Sequence, residues 1–172
     1  ASGISRTFQN IRLFKDLSVW QNVWVALQQD SNQSAGWMQE WFGNSKFQKE
    51  KIKEILGFSG LGNRFNDLAG NLSFGEQRRL ELARAIASKP KLILLDEPAA
   101  GTNSDEVADL RQRILDLKKL GLTVLLVEHV MDLVMKVVDR IVVLNFGKKI
   151  AEGSPDSIQN NDDVQKAYLG GA

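Results

Sequence analysis

The sequence has no cysteine, which excludes disulfides, thiolate metal sites and a cysteine nucleophile together and fits a reducing compartment. It also lacks any apolar run near the ~20 residues needed to cross a bilayer. Its opening ASGISRTFQN has no charged segment leading into an apolar one, so no export signal is read there. No Lys/Arg block stands out, because 22 basic residues meet 21 acidic ones for a formal net charge of +1, and duplex nucleic acid is excluded as a main partner. Internal repeats and low-complexity stretches are missing too. Finally, no run has the form G-x-x-x-x-G-K-[ST], whose backbone N–H groups wrap phosphates while its Lys neutralises them and its hydroxyl binds Mg²⁺. GNSK (residues 43–46) has no matching glycine upstream, and GLGNR (60–64) has no Lys.

What remains is a globular composition, 43% hydrophobic and 25% charged, in 172 residues, which suits one domain better than two. LSVWQNVWVALQQD (17–30) sets Val19, Trp20, Val23, Trp24 and Leu27 on one helical stripe behind Ser18 and Gln21, a capping-box pair. SNQSAG (31–36) breaks that helix, and FQKEKIKEILGF (47–58) predicts a second, charged helix stopped by Gly57. Together these segments read as a small helical subdomain. From residue 92 the texture changes: LILLD, LTVLLVEH and RIVVL are short continuous apolar runs separated by helical stretches, the pattern of a buried, mostly parallel sheet. NFGK (145–148) turns RIVVL back into KIAEG as an antiparallel hairpin at a sheet edge.

Two stretches carry chemistry. LILLDEP delivers Asp96 and Glu97 at the carboxyl end of a strand, where open α/β sheets place ligands. Successive strand side chains point oppositely, so one acid can face a metal ion and the other a water. The plainer alternative is a helix start decorated with acids ahead of Pro98. LSFGE (72–76) has an equally plain reading, since Ser73 and Glu76 form the S-x-x-E of a capping box. The same helix start, with Gly75 and free amides, also makes an anion site with Ser73 as an extra donor. The single histidine, His129, follows LTVLLVE, at the same sheet edge as Asp96 and Glu97. A lone histidine after an apolar strand is ordinarily structural.

Order and spacing decide among these alternatives. Leu-Ser-x-Gly-Glu, then Gln77 and Arg78, an Ala-rich helix, Lys89, Pro90 and LILLDEP together resemble the ABC-type ATPases, in which a signature motif leads through one helix into the Walker B strand. RTFQ (6–9) is similar to the family's glutamine-loop strand with Gln9 as its glutamine, and VEHVMD (127–132) to its switch region with His129 as the histidine. Val107 to Lys119 corresponds to the intervening helix and DRIVVLNFGKKIAEGSP to the final strands, so the similarity covers essentially the whole chain. RTFQNIRLF, DEPAAGTN, VEHVMDLVM and AYLGG are most similar to the subunits that energise branched-chain amino acid import. Thr102, Asn103 and Val130 depart from the usual residues, which are apolar at the first position and Asp at the other two.

The resemblance implies an α/β fold: an incomplete RecA-like P-loop NTPase core of ABC type, with a mostly parallel sheet and a helical signature subdomain. Its parts would be a glutamine-loop strand (1–16), the helical subdomain (17–90), the Walker B and switch part of the core (91–153) and a helical tail (154–172). The ligands it implies are ATP and Mg²⁺. Ser73, Phe74, Gly75 and Glu76 would grip the γ-phosphate, Asp96 would hold Mg²⁺ with Gln9 approaching it, Glu97 would be the general base, and His129 would fix the γ-phosphate. Implied partners are a second ATP-binding subunit, arranged head to tail, and transmembrane permease subunits. The implied place is the cytoplasmic face of the cell membrane. With no phosphate loop, the chain is expected to correspond to the C-terminal part of such a subunit, inactive alone, with a raw sheet edge. The competing expectation is a non-catalytic module that pairs its signature face with a complete ATPase. An ABC-type DNA-repair ATPase is disfavoured, because the stretch from Gln9 to Ser73 has no room for a long coiled coil.

Overall fold

The computed structural model describes residues 3–7, 11–28 and 45–169, which fall into two compact units, 1–128 and 129–172. Gln9 and the 31–36 break lie outside the described residues. The first unit is built on a parallel sheet in which β2 (Leu92–Asp96) is central, between β1 (Ile4–Arg6) and β3 (Thr123–Val127). Leu92 stands opposite both Ile4 and Thr123, and Asp96 opposite Val127. Parallel neighbours need long crossovers. Among the described residues the chain from β1 to β2 carries the α-helices α1 (Val19–Gln28), α2 (Ser45–Phe58) and α3 (Phe74–Ala87), and α4 (Ser104–Lys119) joins β2 to β3.

The expected burial holds for β2, where Ile93 and Leu95 are enclosed, but not for β3. There Leu125 and Val127 are 51% and 55% exposed. Among the described residues β3 has a strand partner on one side only, so its continuous apolar run forms an open edge strand.

The helical core follows from the apolar spacing. Val19 and Val23 of α1, Ile52 and Leu56 of α2, and Leu80, Ala83 and Ala87 of α3 form one cluster with Leu61 and Leu72. Each fully buried Leu, Ile or Val there contributes about 1.5–3 kcal/mol of transfer free energy. Trp20, Trp24 and Leu27 pack against this cluster, and the Trp20 ring stacks on Phe65 at 6.0 Å between centroids. The tryptophan stripe therefore serves the core. Ser18 caps α1 as expected, its N–H donating to Gln21 Oε1 at 2.8 Å. The α2 helix, by contrast, runs through Gly57 and ends beyond it. Gly60 takes φ +66, its N–H donates to the Gly57 carbonyl, and that of Leu61 donates to Leu56. Those paired bonds form a Schellman stop, which needs the left-handed residue at position 60.

The second unit contains α5 (Met131–Val137), a hairpin of β4 (Ile141–Asn145) and β5 (Lys148–Gly153), and short helical turns within 155–169. Phe146 and Gly147 both take positive φ, the backbone of a two-residue turn whose twist matches its strands. The hairpin is a sheet of its own rather than an edge of the three-stranded one. Val143, Ile158 and Val164 form its core.

Candidate functional site

The start of α3 is built by the capping box. Ser73 has extended backbone, its Oγ accepts from the Glu76 N–H at 3.3 Å, and Glu76 Oε2 accepts from the Ser73 N–H at 2.9 Å. Arg64 Nε donates to the other Glu76 oxygen at 3.0 Å. Ser73 and Phe74 are exposed, and among the described residues the amides of Phe74 and Gly75 have no acceptor. Those two donors lie at the positive end of a helix dipole, so the plain and the functional readings of LSFGE coexist in one turn.

The Glu76 carboxyl is held below its ordinary value of 4.5, first by the Ser73 backbone bond, then by the Ser73 hydroxyl and Arg64, with burial acting the other way. A carboxyl lowered on folding contributes stability that is present above its unfolded value and lost as pH falls through the lowered folded value. The cap is thus expected to persist through pH 4.5 and to fail only in stronger acid. An NMR titration of the Glu76 carboxyl with the Ser73 amide as reporter checks this, and a midpoint at or above 4.5 would contradict it.

At the other motif, β2 ends with Asp96, and Arg6 Nη2 of β1 donates to Asp96 Oδ2 at 2.8 Å. The next residue, Glu97, takes φ +45 while its N–H donates to the Val127 carbonyl at 2.9 Å. A non-glycine residue in that region stores roughly 1–3 kcal/mol of strain, which persists only where the surroundings over-determine it. The loop after it is tightly held. Ala99 N–H donates to Glu128 Oε1 at 2.8 Å, the Thr102 hydroxyl donates to the Ala99 carbonyl at 2.7 Å, and Asn103 caps α4. The departure at Thr102 thus has a local use: its hydroxyl closes the turn.

The two motifs meet. Gly101 of the loop lies on the Phe74 ring, and Gly75 lies on the Glu106 side chain. Between β2, α3 and α4 is a cleft of ≈ 350 Å³, lined among others by Thr7, Arg79, Leu95, Asp109 and Arg113. The start of α3 thus meets the loop that follows Glu97 at Gly101 and the first turn of α4 at Glu106. His129 is the exposed first residue of the second unit, two positions past β3.

Residues 1–100 match the ABC transporter family, and residues 148–172 match the branched-chain amino acid ATP-binding cassette transporter family. The chain belongs to the ABC transporter family. Among its relatives is the high-affinity branched-chain amino acid transport ATP-binding protein BraF of Pseudomonas aeruginosa, 41% identical over 99% of this chain and 69% of that protein. Another is LivG of Escherichia coli, 40% identical with the same coverage. A solved ATP-binding cassette of an ABC transporter superposes with a TM-score of 0.78 at 30% identity, over 98% of this chain and 69% of the other. Membership makes this an α/β ATPase chain whose ligands are ATP and Mg²⁺.

For an ABC ATPase the Asp96 carboxylate suits Mg²⁺ bound with a nucleotide. That hard ion takes one or two carboxylates together with phosphate oxygens and water, and needs no all-protein cage. Among the described residues no group of three or more His, Cys, Asp or Glu side chains could hold a metal ion. Sequence reasoning missed Arg6, Glu106 and Glu128. Only Glu106 carried a signal, since Asn103 and Glu106 have capping-box spacing; the others act across 90 and 29 residues of chain.

Proposed function

We propose that this chain is the signature, Walker B and switch portion of the ATP-binding subunit of a branched-chain amino acid importer. One observation carries the reading: the exposed, capped start of α3 lies against the loop that follows Glu97. The names of the relatives support the transported class. Since G-x-x-x-x-G-K-[ST] does not occur in these 172 residues, the cradle for the phosphates belongs to another segment or chain.

In this reading the Ser73 hydroxyl, whose oxygen accepts from the Glu76 N–H, turns its proton from the Glu76 carboxylate to a γ-phosphate oxygen, beside the amides of Phe74 and Gly75. Asp96 would hold Mg²⁺, which would supply charge neutralisation on the phosphates. Glu97 takes the proton of the attacking water as the water oxygen bonds to the γ-phosphorus and the bond to the β,γ-bridging oxygen breaks, releasing ADP and phosphate. By resemblance to the family, His129 would fix the γ-phosphate and Gln9, outside the described residues, would serve the metal and that water. Two such subunits stand head to tail, each signature facing the other's phosphate cradle, against the cytoplasmic side of a permease. No described helix is long and apolar enough to cross a membrane.

Calorimetric titration of Mg-ATP into the purified chain, and into its Glu97→Gln variant, is expected to give no binding heat. Addition of a complete ATP-binding subunit should then produce ATP-dependent association. Micromolar binding by the chain alone would overturn the assignment of the cradle to residues outside it. Association in which Glu97→Gln leaves turnover unchanged would make the chain a regulatory module instead.

A further inference from the structure

Gly75 and Glu106 are in closer register than either motif requires alone. A Cβ at position 75 would stand 2.3 Å from Glu106 Oε1 and 3.1 Å from its Cδ, well inside contact distance. That carboxylate is not a free arm. Its second oxygen accepts from the Asn103 N–H at 3.0 Å, while Asn103 Oδ1 accepts from the Glu106 N–H, also at 3.0 Å. One side chain therefore caps α4 and abuts the first turn of α3. Gly101 adds a second contact: at φ +75, a Cβ there would be 3.5 Å from the Phe74 ring. One turn further along both helices, Asp109 carries the seam on. It pairs bidentately with Arg113 at 2.8 and 2.9 Å and lies 3.7 Å from Arg79 of α3.

We infer that Glu106 is a positioning residue, coupling the anion seat at the start of α3 to the loop whose first residue is Glu97. This rests on the roles proposed above for Ser73–Glu76 and Glu97. The loop is fixed near its start by Glu128 on Ala99 and at its end by the Asn103 cap. A shift of the α3 start moves the Glu106 carboxylate, the carboxylate moves the Asn103 amide, and the loop between Asn103 and Glu97 follows. Glycine at 75 lets the two helix starts approach closely enough for this transfer.

Two readouts test it. In the chain itself, Gly75→Ala improves helix propensity locally, so any effect at Asn103 must come through the contact. Its amide is expected to exchange at least about tenfold faster, with shifts through 99–103. Conversely, Glu106→Ala should shift the amides of 73–75. Glu106→Gln keeps an acceptor of equal reach for the cap and should leave both sites as they are. Changes confined to 72–78 in Gly75→Ala, with Asn103 unmoved, would overturn the coupling; if that variant does not fold, Glu106→Ala decides from the other side. In the complete ATP-hydrolysing subunit, Glu106→Ala should lower kcat about tenfold or more with KM within about twofold, rescued by Glu106→Gln. Coupled amides with unchanged kcat would sink the positioning role. Full turnover in Glu97→Gln would sink the assigned chemistry instead, leaving the amide coupling to be judged alone.

Discussion

Replacing Glu97 by Gln is expected to cut ATP turnover in the completed subunit about 10²–10⁴-fold while nucleotide stays bound. The amide keeps the shape of the carboxylate and removes its negative charge, and with it its capacity to take a proton. Glu97 is also, with Lys89 and Phe146, one of the described non-glycine residues at positive φ, here +45, with its N–H tied to the Val127 carbonyl of β3. If strain is retained there for the sake of the carboxylate's aim, the site should be improvable by giving that role up. Glu97→Gly admits positive φ freely, and relief of roughly 1–2 kcal/mol offsets the added entropy of the unfolded glycine. Denaturant unfolding of Glu97→Gly should therefore show stability equal to or above the parent, with turnover as low as in Glu97→Gln. A marked loss of stability would mean that the conformation is held by contacts of the side chain itself, and full turnover in Glu97→Gln would remove Glu97 as the base.

The same residue marks where reading the sequence runs out. Local signals were legible: Ser73 with Glu76 and Ser18 with Gln21 form the caps their spacing announces, and LILLD is the central strand. Residues whose partners are remote in sequence were not. The positive φ of Glu97 comes with a bond from its N–H to Val127 of β3, a partner that DEPAAG does not announce. Glu128 looks like one more acid in VEH until its carboxylate is found on the Ala99 amide. Apolar runs misled for a related reason. LTVLLV has the texture of a strand covered on all sides, yet which edge of a strand is covered depends on its neighbours and leaves no trace in its own composition.

The largest remaining effect is expected at Ser73, where two roles share one oxygen. A structural role needs only an acceptor for the Glu76 N–H, and Asp serves there about as well as Ser. A phosphate-gripping role needs a donor and no negative charge. Ser73→Asp thus separates them: the cap is retained, the carboxylate gains from the helix dipole, and the unfolding midpoint should not fall. Turnover in the completed subunit should nevertheless drop about 10²–10³-fold or more, the scale set by loss of one donor to a developing oxyanion, with charge repulsion added. Ser73→Ala gives the opposite pattern on stability, losing about 1 kcal/mol of capping with a smaller fall in turnover, because the amides of Phe74 and Gly75 remain. If Ser73→Asp proved as active as the parent, the serine would be a cap and nothing more, and the seat for the γ-phosphate would have to be sought elsewhere than at the start of α3.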